Sequence, residues 1–388
     1  MDYSSLADAL TTGSLIMRSK KLISLIRTEW FLGVSLATGV AFLFFGERLQ
    51  GELSSPIWRL MSFIWLFATA LGAALCVVRH AEHLAHRLGE PFGTLILTLS
   101  VTAIEATSIS AVMLHGSNNP TLARDTLFAV IMIILNGMVG MSLLFGAWRH
   151  REQHYNLQGA NTYLSVIIPL AVLGLIMPNF TQTTPGPTLS FQQEIFLALM
   201  SIGLYAAFLV VQTGRHRGYF VLESKDAKPR HTHDPVGSSP FLRHALFLAA
   251  YMVPVVFLAD QLGRPIDDMI DNLHAPVALG GVLIATLVAT PEAIGAVRSA
   301  MANQLQRSIN ISLGSVLCTI GLTIPIMLVV SHVTGREIYL GLQNSSFVML
   351  LLTLGLSVVT FASGRTNVLQ GAVHGLLFVA YLLLIFQD

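Results

Sequence analysis

Apolar runs of membrane-spanning length alternate with short polar segments along almost the whole chain. A transmembrane helix needs about 20 mostly apolar residues, and on that criterion we predict eleven spans, of which the first and the tenth are short. The connections are mostly brief, and none is long enough to form a soluble domain. The spans, numbered in chain order, are 30–46, 57–79, 92–114, 126–147, 161–179, 191–213, 241–259, 276–297, 309–332, 346–362 and 367–386.

The composition agrees with an all-α polytopic membrane protein. The 388 residues are 11% charged and 53% hydrophobic, whereas soluble domains are roughly 25% charged. A net charge of +1 argues against nucleic acid as a partner, so the lipid bilayer is the expected environment. The two cysteines, Cys76 and Cys318, lie in apolar runs and are expected to be buried thiols rather than a disulfide.

The distribution of Lys and Arg predicts the orientation. If the N-terminus is cytoplasmic, 17 of the 22 basic residues flank the cytoplasmic ends of the spans and 5 flank the other ends. An even number of spans would blur this asymmetry. We therefore predict a cytoplasmic N-terminus and a periplasmic C-terminus.

An internal repeat links two glutamates. The stretch "GTLILTLSVTAIEATSISAV" from Gly93 aligns without gaps on "GGVLIATLVATPEAIGAVRS" from Gly280, so that Glu105 meets Glu292. Spans three and eight cross the membrane in opposite directions, which predicts an inverted repeat of spans two to six against seven to eleven, with span one added. Transporters with inverted repeats bind substrate near the midplane, and each glutamate lies roughly 20 Å from its helix start.

The repeat predicts the organisation of the chain. The first region, 1–56, is an N-terminal segment too polar for a signal peptide, followed by a retained first helix. The second region, 57–213, is the first five-helix repeat, and the polar segment 214–240 is a cytoplasmic linker. The fourth region, 241–388, is the second five-helix repeat.

Polar neighbours of the glutamates are candidate ligands. Thr98 and Thr102 share the helix face of Glu105, although such hydroxyls also bond their own helix carbonyls. Pro291 leaves the Leu287 carbonyl without its helical donor, which makes either a cation ligand or a simple kink.

Two further spans carry polar side chains of this kind. Span nine carries a row of hydroxyls that includes Ser315, and Asn136 of span four either lines the cavity or bonds a neighbouring helix. The small face of span eight is typical of close packing. It consists of Gly281, Ala285, Ala289 and Ala296 beside Glu292.

Buried carboxylates indicate ion exchange. An ionisable residue inside the membrane is a functional hypothesis, and no Lys or Arg lies in the interior of any span to neutralise these two. Burial favours the protonated carboxyl, whereas a bound cation displaces the proton. Oxygen ligands suit Ca²⁺, Na⁺ or K⁺. We therefore predict an antiporter of inorganic cations and protons, with no cofactor and no catalytic residue, and leave a homo-oligomer open.

Two other classes compete with this interpretation. An intramembrane enzyme needs a nucleophile or metal constellation, and the chain has neither HExxH nor GxSxG. A channel shows ion flux without proton coupling.

Residues 89–105, "GEPFGTLILTLSVTAIE", resemble the first repeat motif of the calcium/cation antiporter superfamily, in its cation/proton exchanger branch. From about Arg79 to Phe386 the chain resembles the bacterial ChaA-type antiporters, through runs such as "TLARDTLFAVIMII", "ANQLQRSINISLGSVLCTI" and "SGRTNVLQGAVH". The resemblance implies an eleven-helix inverted-repeat fold and a bacterial inner-membrane location. It also implies Ca²⁺/H⁺ exchange, often with Na⁺/H⁺ or K⁺/H⁺ exchange, and essential acidic residues at Glu105 and Glu292.

The chain departs from the calcium-specific pattern of that family. Calcium-specific exchangers carry Gly-Asn-Ala-x-Glu in both repeats, whereas here the stretches are "VTAIE" and "VATPE". Thr102 and Ala289 therefore stand at the amide positions. We expect Na⁺ or K⁺ to be exchanged alongside Ca²⁺; the alternative is a strictly monovalent Na⁺(K⁺)/H⁺ antiporter without calcium transport.

Histidines cluster on the predicted cytoplasmic side. His80, His83 and His86 follow a three-residue spacing at the end of span two. They are either a pH sensor, a weak metal site or solvated interfacial groups.

Overall fold

A computed structural model describes residues 27–50, 56–89, 92–115, 119–221, 238–273 and 275–387. Within these residues eleven apolar helices follow one another at the predicted positions, and each keeps its predicted number. Their bounds are Trp30–Gln50, Pro56–Leu88, Phe92–His115, Leu122–His150, Leu157–Asn179, Phe191–Thr213, Ser238–Gln261, Ala278–Met301, Leu305–Thr334, Asn344–Thr360 and Val368–Ile385.

The lengths of the described helices fit a membrane protein. Eight of them are long and apolar enough to cross a bilayer, and three shorter apolar helices belong to spans one, three and ten. The prediction of eleven spans is confirmed. The boundaries of the four predicted regions stay a prediction, because residues 222–237 of the linker lie outside the described residues.

Two helical segments extend beyond the sequence prediction. Span two continues to Leu88, nine residues past its predicted end, because Ala81, Leu84 and Ala85 recur at helical spacing and are buried. A short helix, Gly263–Leu273, follows span seven. Its sequence "GRPIDDMIDNL" has no long apolar run, and its apolar residues instead lie on one side in the manner of an interfacial helix.

Contacts between the connecting segments show which of them share a face of the molecule. After spans four and ten, Gln153–His154 pairs antiparallel with Arg365–Thr366. After spans four and eight, a ring nitrogen of His150 lies 2.9 Å from the carbonyl oxygen of Met301. We call this the even-loop face.

The opposite ends of the helices meet in the same way. After spans three and nine, the Tyr339 N–H donates to the Pro120 carbonyl at 2.9 Å. After spans five and nine, the Asn179 side chain donates to the Leu342 carbonyl. We call this the odd-loop face. The connections therefore alternate between two faces, as eleven membrane crossings require.

The charge pattern predicts that the even-loop face is cytoplasmic, and this prediction is testable. We expect a fusion at residue 230, which lies outside the described residues, to activate a reporter that works in the cytoplasm. A fusion after span eleven should activate a reporter that works in the periplasm. A reporter at 230 that is active outside the cell would contradict the topology and the inverted repeat together.

Spans four and nine are both interrupted near mid-membrane by a π turn. The turns are Ile133–Met138 and Thr319–Thr323. A π turn inside an α-helix often occurs at a functional site. The two spans occupy corresponding positions in the two predicted repeats, whereas a third π turn, Val172–Ile176 in span five, has no counterpart in span ten.

The small face of span eight packs closely on span four. A Cβ atom added at Gly281 would lie 2.7 Å from backbone atoms of both Asp125 and Thr126. Ala285, Ala289 and Ala296 are all buried. Because small side chains let helices approach, this contact fixes span eight, and with it Glu292, against the first repeat.

Candidate cation and proton site

Two carboxylates lie buried at the centre of the helix bundle. Span three carries Glu105 and span eight carries Glu292, with only 2% and 1% of their surfaces exposed. Each lies about half-way along its helix, and side chains of span nine contact both of them. The structure therefore brings the two repeat-related glutamates into one region near the midplane.

Span nine holds both glutamates through hydroxyl groups. Thr319 Oγ1 donates to Glu105 Oε2 at 2.6 Å, and Ser315 Oγ donates to Glu292 Oε2. Residues four apart lie on one helix face, so two successive turns of span nine each bond one of the two glutamates. The sequence singled out Ser315 as a ligand candidate, whereas it gave Thr319 only as a member of the hydroxyl row.

The second oxygen of each carboxyl has no hydrogen-bond partner among the described residues. Glu105 Oε1 and Glu292 Oε1 are both buried and unbonded. Within the same residues no Lys or Arg forms an ion pair with either glutamate. A carboxylate offers several lone pairs, and a buried one needs compensation for its charge. A proton or a cation on the free oxygens supplies it.

Cys318 lies beside the two glutamates. Its thiol contacts the Thr102 hydroxyl of span three. The Tyr205 hydroxyl lies 3.2 Å from the same sulfur atom. The sequence treated Cys318 only as a buried thiol. Its position directly before Thr319 in the hydroxyl row of span nine is the signal that could have placed it at the site.

The other predicted ligands are less directly engaged. The Thr98 hydroxyl donates to the Leu95 carbonyl at 3.1 Å, which is the local bonding that the sequence left open. Pro291 lies inside span eight without ending the helix, and Leu287 is fully buried. The Leu287 carbonyl is therefore a buried acceptor that lacks its ordinary helical donor.

Asn136 belongs to a separate network. Its side-chain amide donates to Thr353 Oγ1 at 2.8 Å, and its oxygen lies 3.2 Å from a ring nitrogen of His374. The other ring nitrogen of His374 lies 2.9 Å from the Thr360 hydroxyl. All four side chains are fully buried. Of the two roles considered for Asn136, these contacts favour hydrogen bonding between spans four, ten and eleven.

His374 was missed by the sequence reasoning. It is an ionisable side chain inside the otherwise apolar run of span eleven, and that isolation was the available signal.

The histidines of span two join an interface between spans one, two and seven. His80 Nδ1 lies 2.9 Å from His244 Nδ1, and its other ring nitrogen lies 3.3 Å from Glu29 Oε2. Arg79 and Tyr251 also donate to that carboxylate. Across the described part of the chain, no group of three or more His, Cys, Asp or Glu side chains is arranged to hold a metal ion. The side chain of His86 lies outside the described residues.

Comparisons with known proteins agree with this architecture. The chain is 42% identical over 320 residues to the sodium-potassium/proton antiporter ChaA of Escherichia coli, covering 81% of this chain and 86% of that protein. It is 43% identical over 314 residues to the putative ionic transporter y4hA of Sinorhizobium fredii, covering 81% and 85%. The solved structure of YfkE, a Ca²⁺/H⁺ antiporter protein, shares the fold with a TM-score of 0.70 at 18% identity, covering 92% of this chain and 100% of that one.

The family model described as sodium/calcium exchanger protein matches residues 58–214 and 243–387. The two segments together cover spans two to eleven except for the first residues of spans two and seven, and both glutamates lie within them. The chain belongs to the sodium/calcium exchanger protein family.

Proposed function

We propose that this protein is a secondary antiporter that exports Na⁺ or K⁺, and also Ca²⁺, in exchange for protons through Glu105 and Glu292. The observation that carries the proposal is the pair of buried carboxyl groups, each with one oxygen held by a hydroxyl and one oxygen unbonded. The function requires a membrane that maintains a proton gradient, and the similar bacterial proteins favour a bacterial inner membrane.

The negative charge of the buried carboxylates can be compensated either by protons or by a cation, and exchange follows from this choice. In an empty site, burial favours protonated, neutral carboxyl groups. A cation that binds the free oxygens favours the ionised groups and releases the protons. Thr319 and Ser315 keep one oxygen of each carboxyl in place in either state, because a hydroxyl donates or accepts by rotating. Since the cation and the protons need the same oxygens, they bind alternately.

The donor set indicates hard cations, and the name of one similar protein favours monovalent ones. Carboxylate and hydroxyl oxygens suit Na⁺, K⁺ and Ca²⁺. The relative from Escherichia coli, at 42% identity, is named a sodium-potassium/proton antiporter. Ala289 offers no oxygen from its side chain, and Ca²⁺ needs 6–8 oxygen ligands. A strictly monovalent antiporter is therefore the second candidate.

Transport by the purified protein tests the proposal. Proteoliposomes with an imposed pH gradient should accumulate each cation, supplied separately as Na⁺, K⁺ or Ca²⁺, only while the gradient lasts. Uptake of Na⁺ or K⁺ without Ca²⁺ would select the monovalent alternative. Cation flux that is equal with and without the pH gradient would overturn antiport.

Replacement of Thr102 tests cation selection. We expect Thr102→Asn to shift the relative rates toward Ca²⁺, because an amide oxygen adds the carbonyl-type ligand that Ca²⁺ prefers. The matched control is Thr102→Val, which removes the hydroxyl that contacts Cys318 at nearly constant volume and should give no gain in Ca²⁺ exchange. Equal Ca²⁺-to-Na⁺ ratios in both variants would exclude this position as a selectivity determinant.

A further inference from the structure

Two buried hydroxyl groups on spans three and nine have no hydrogen-bond partner among the described residues. They are Ser108 Oγ of span three and Thr323 Oγ1 of span nine, and both residues are fully buried. Leaving a buried hydroxyl unbonded costs free energy, and each such group needs a physical explanation.

Neighbouring hydroxyls on the same spans show that local bonding is available. In span three, Thr107 and Ser110 donate to their own helix carbonyls at 2.6 Å. In span nine, Ser312 donates to the Ser308 carbonyl at 2.9 Å. Ser108 and Thr323 each have a helix carbonyl four residues earlier, yet neither bonds it. Their hydroxyls are therefore directed elsewhere.

The register of the two helices brings these hydroxyls to one level. Spans three and nine both run from the even-loop face to the odd-loop face, and the Thr319–Glu105 hydrogen bond aligns them. Ser108 is three residues beyond Glu105, and Thr323 is four residues beyond Thr319. Both positions are roughly 5 Å further toward the odd-loop face. The side chains at these spacings stay near the helix faces that meet at the hydrogen bond.

The same two helices offer further oxygen acceptors. Glu105 Oε1 is buried and unbonded one turn away. Thr323 ends the π turn Thr319–Thr323, and Pro325, at the start of the helical segment that follows, has no N–H to donate to the carbonyl groups of that turn. The surroundings thus combine two hydroxyl oxygens and one carboxylate oxygen with a turn that is short of one backbone donor.

We propose that Ser108, Thr323 and Glu105 Oε1 form a subsite for one dehydrated monovalent cation, one turn from the glutamate pair toward the odd-loop face. One carboxylate balances the single charge of Na⁺. The two hydroxyls are neutral, so the subsite lacks the second negative charge that Ca²⁺ binding favours. This inference rests on the proposed function. It adds a second position for a monovalent ion, between the glutamate pair and the odd-loop face.

The test measures Na⁺ binding as well as transport. A ligand that binds the folded protein raises its unfolding temperature, so NaCl should stabilise the wild-type protein in detergent more than choline chloride does. Ser108→Ala and Thr323→Val should lose most of this Na⁺-dependent stabilisation. In proteoliposomes they should raise the half-saturating Na⁺ concentration by about tenfold, which corresponds to the loss of one oxygen ligand worth about 1.4 kcal/mol. Ser110→Ala, whose hydroxyl donates to Ala106, is the matched control and should behave as wild type.

Three results would overturn the subsite. Unchanged Na⁺ responses in Ser108→Ala and Thr323→Val would mean that Na⁺ does not bind these hydroxyls. A lowered unfolding temperature in choline chloride would make the hydroxyls structural, whereas removal of unbonded groups should leave that temperature equal or higher. If Ser110→Ala lost as much Na⁺-dependent stabilisation as Ser108→Ala and Thr323→Val, the effect would not depend on the position of the hydroxyl. The proposed function fails separately, if Glu292→Gln retains exchange, because Glu292 is not part of the subsite.

Discussion

Glu105→Gln and Glu292→Gln are each expected to reduce cation-coupled proton movement to the level of empty liposomes. Glutamine keeps the volume of glutamate and still accepts a hydrogen bond from Thr319 or Ser315, but it neither releases a proton nor balances a cation. The effect should be complete for each single variant, because one remaining carboxylate cannot complete the exchange. The measurement is pH-gradient-driven uptake of Na⁺, K⁺ and Ca²⁺ by proteoliposomes.

A matched control distinguishes loss of chemistry from loss of structure. Glu152→Gln changes a carboxylate that is 58% exposed in the connection after span four and should transport as wild type. Both inactive variants should unfold at temperatures equal to or above that of wild type, since a buried ionisable group is costly. Near-normal exchange by Glu105→Gln or Glu292→Gln would remove that glutamate from the mechanism.

Gly281→Ala is expected to destabilise the protein by about 1–3 kcal/mol, the usual cost of overpacking. The new Cβ would lie 2.7 Å from the backbone of span four, and backbone cannot rotate away as a side chain can. Span eight would then shift relative to span four and carry Glu292 away from Ser315. Thermal unfolding in detergent measures the loss of stability, and proteoliposome uptake measures the accompanying loss of exchange.

Gly355→Ala is the comparison that isolates the clash. A Cβ atom at Gly355 of span ten would meet nothing within 4 Å, and alanine favours a helix over glycine by as much as about 1 kcal/mol. Its unfolding temperature should equal or exceed that of wild type. If both glycine variants lose stability equally, the contact between spans eight and four is not the cause.

The sequence predicted the helices well because the bilayer imposes a single criterion on all of them. An apolar run of spanning length is visible without any knowledge of packing. The same criterion missed Gly263–Leu273 and the last nine residues of span two. Those segments are amphipathic, and their helical form depends on what they pack against.

The pairing of Glu105 with Glu292 was predictable from the internal repeat, but the residues that bond them were less so. A repeat argument gives depth in the membrane, whereas the choice among hydroxyls depends on helix rotation. The π turn of span nine changes that rotation at Thr319, and no sequence pattern marked it. Asn136 illustrates the opposite case, because its partners in spans ten and eleven are more than 200 positions away in the chain.

Competition between cations and protons for the same two carboxyl groups is the central claim, and proton release from the purified protein tests it most directly. NaCl, KCl or CaCl₂ is added to the protein in weakly buffered detergent solution, and the pH change is recorded with an indicator dye. We expect wild-type protein to release protons with a saturating dependence on each transported cation, and the Glu105→Gln/Glu292→Gln double variant to release none. Saturable cation binding by the wild type without any proton release would contradict the account.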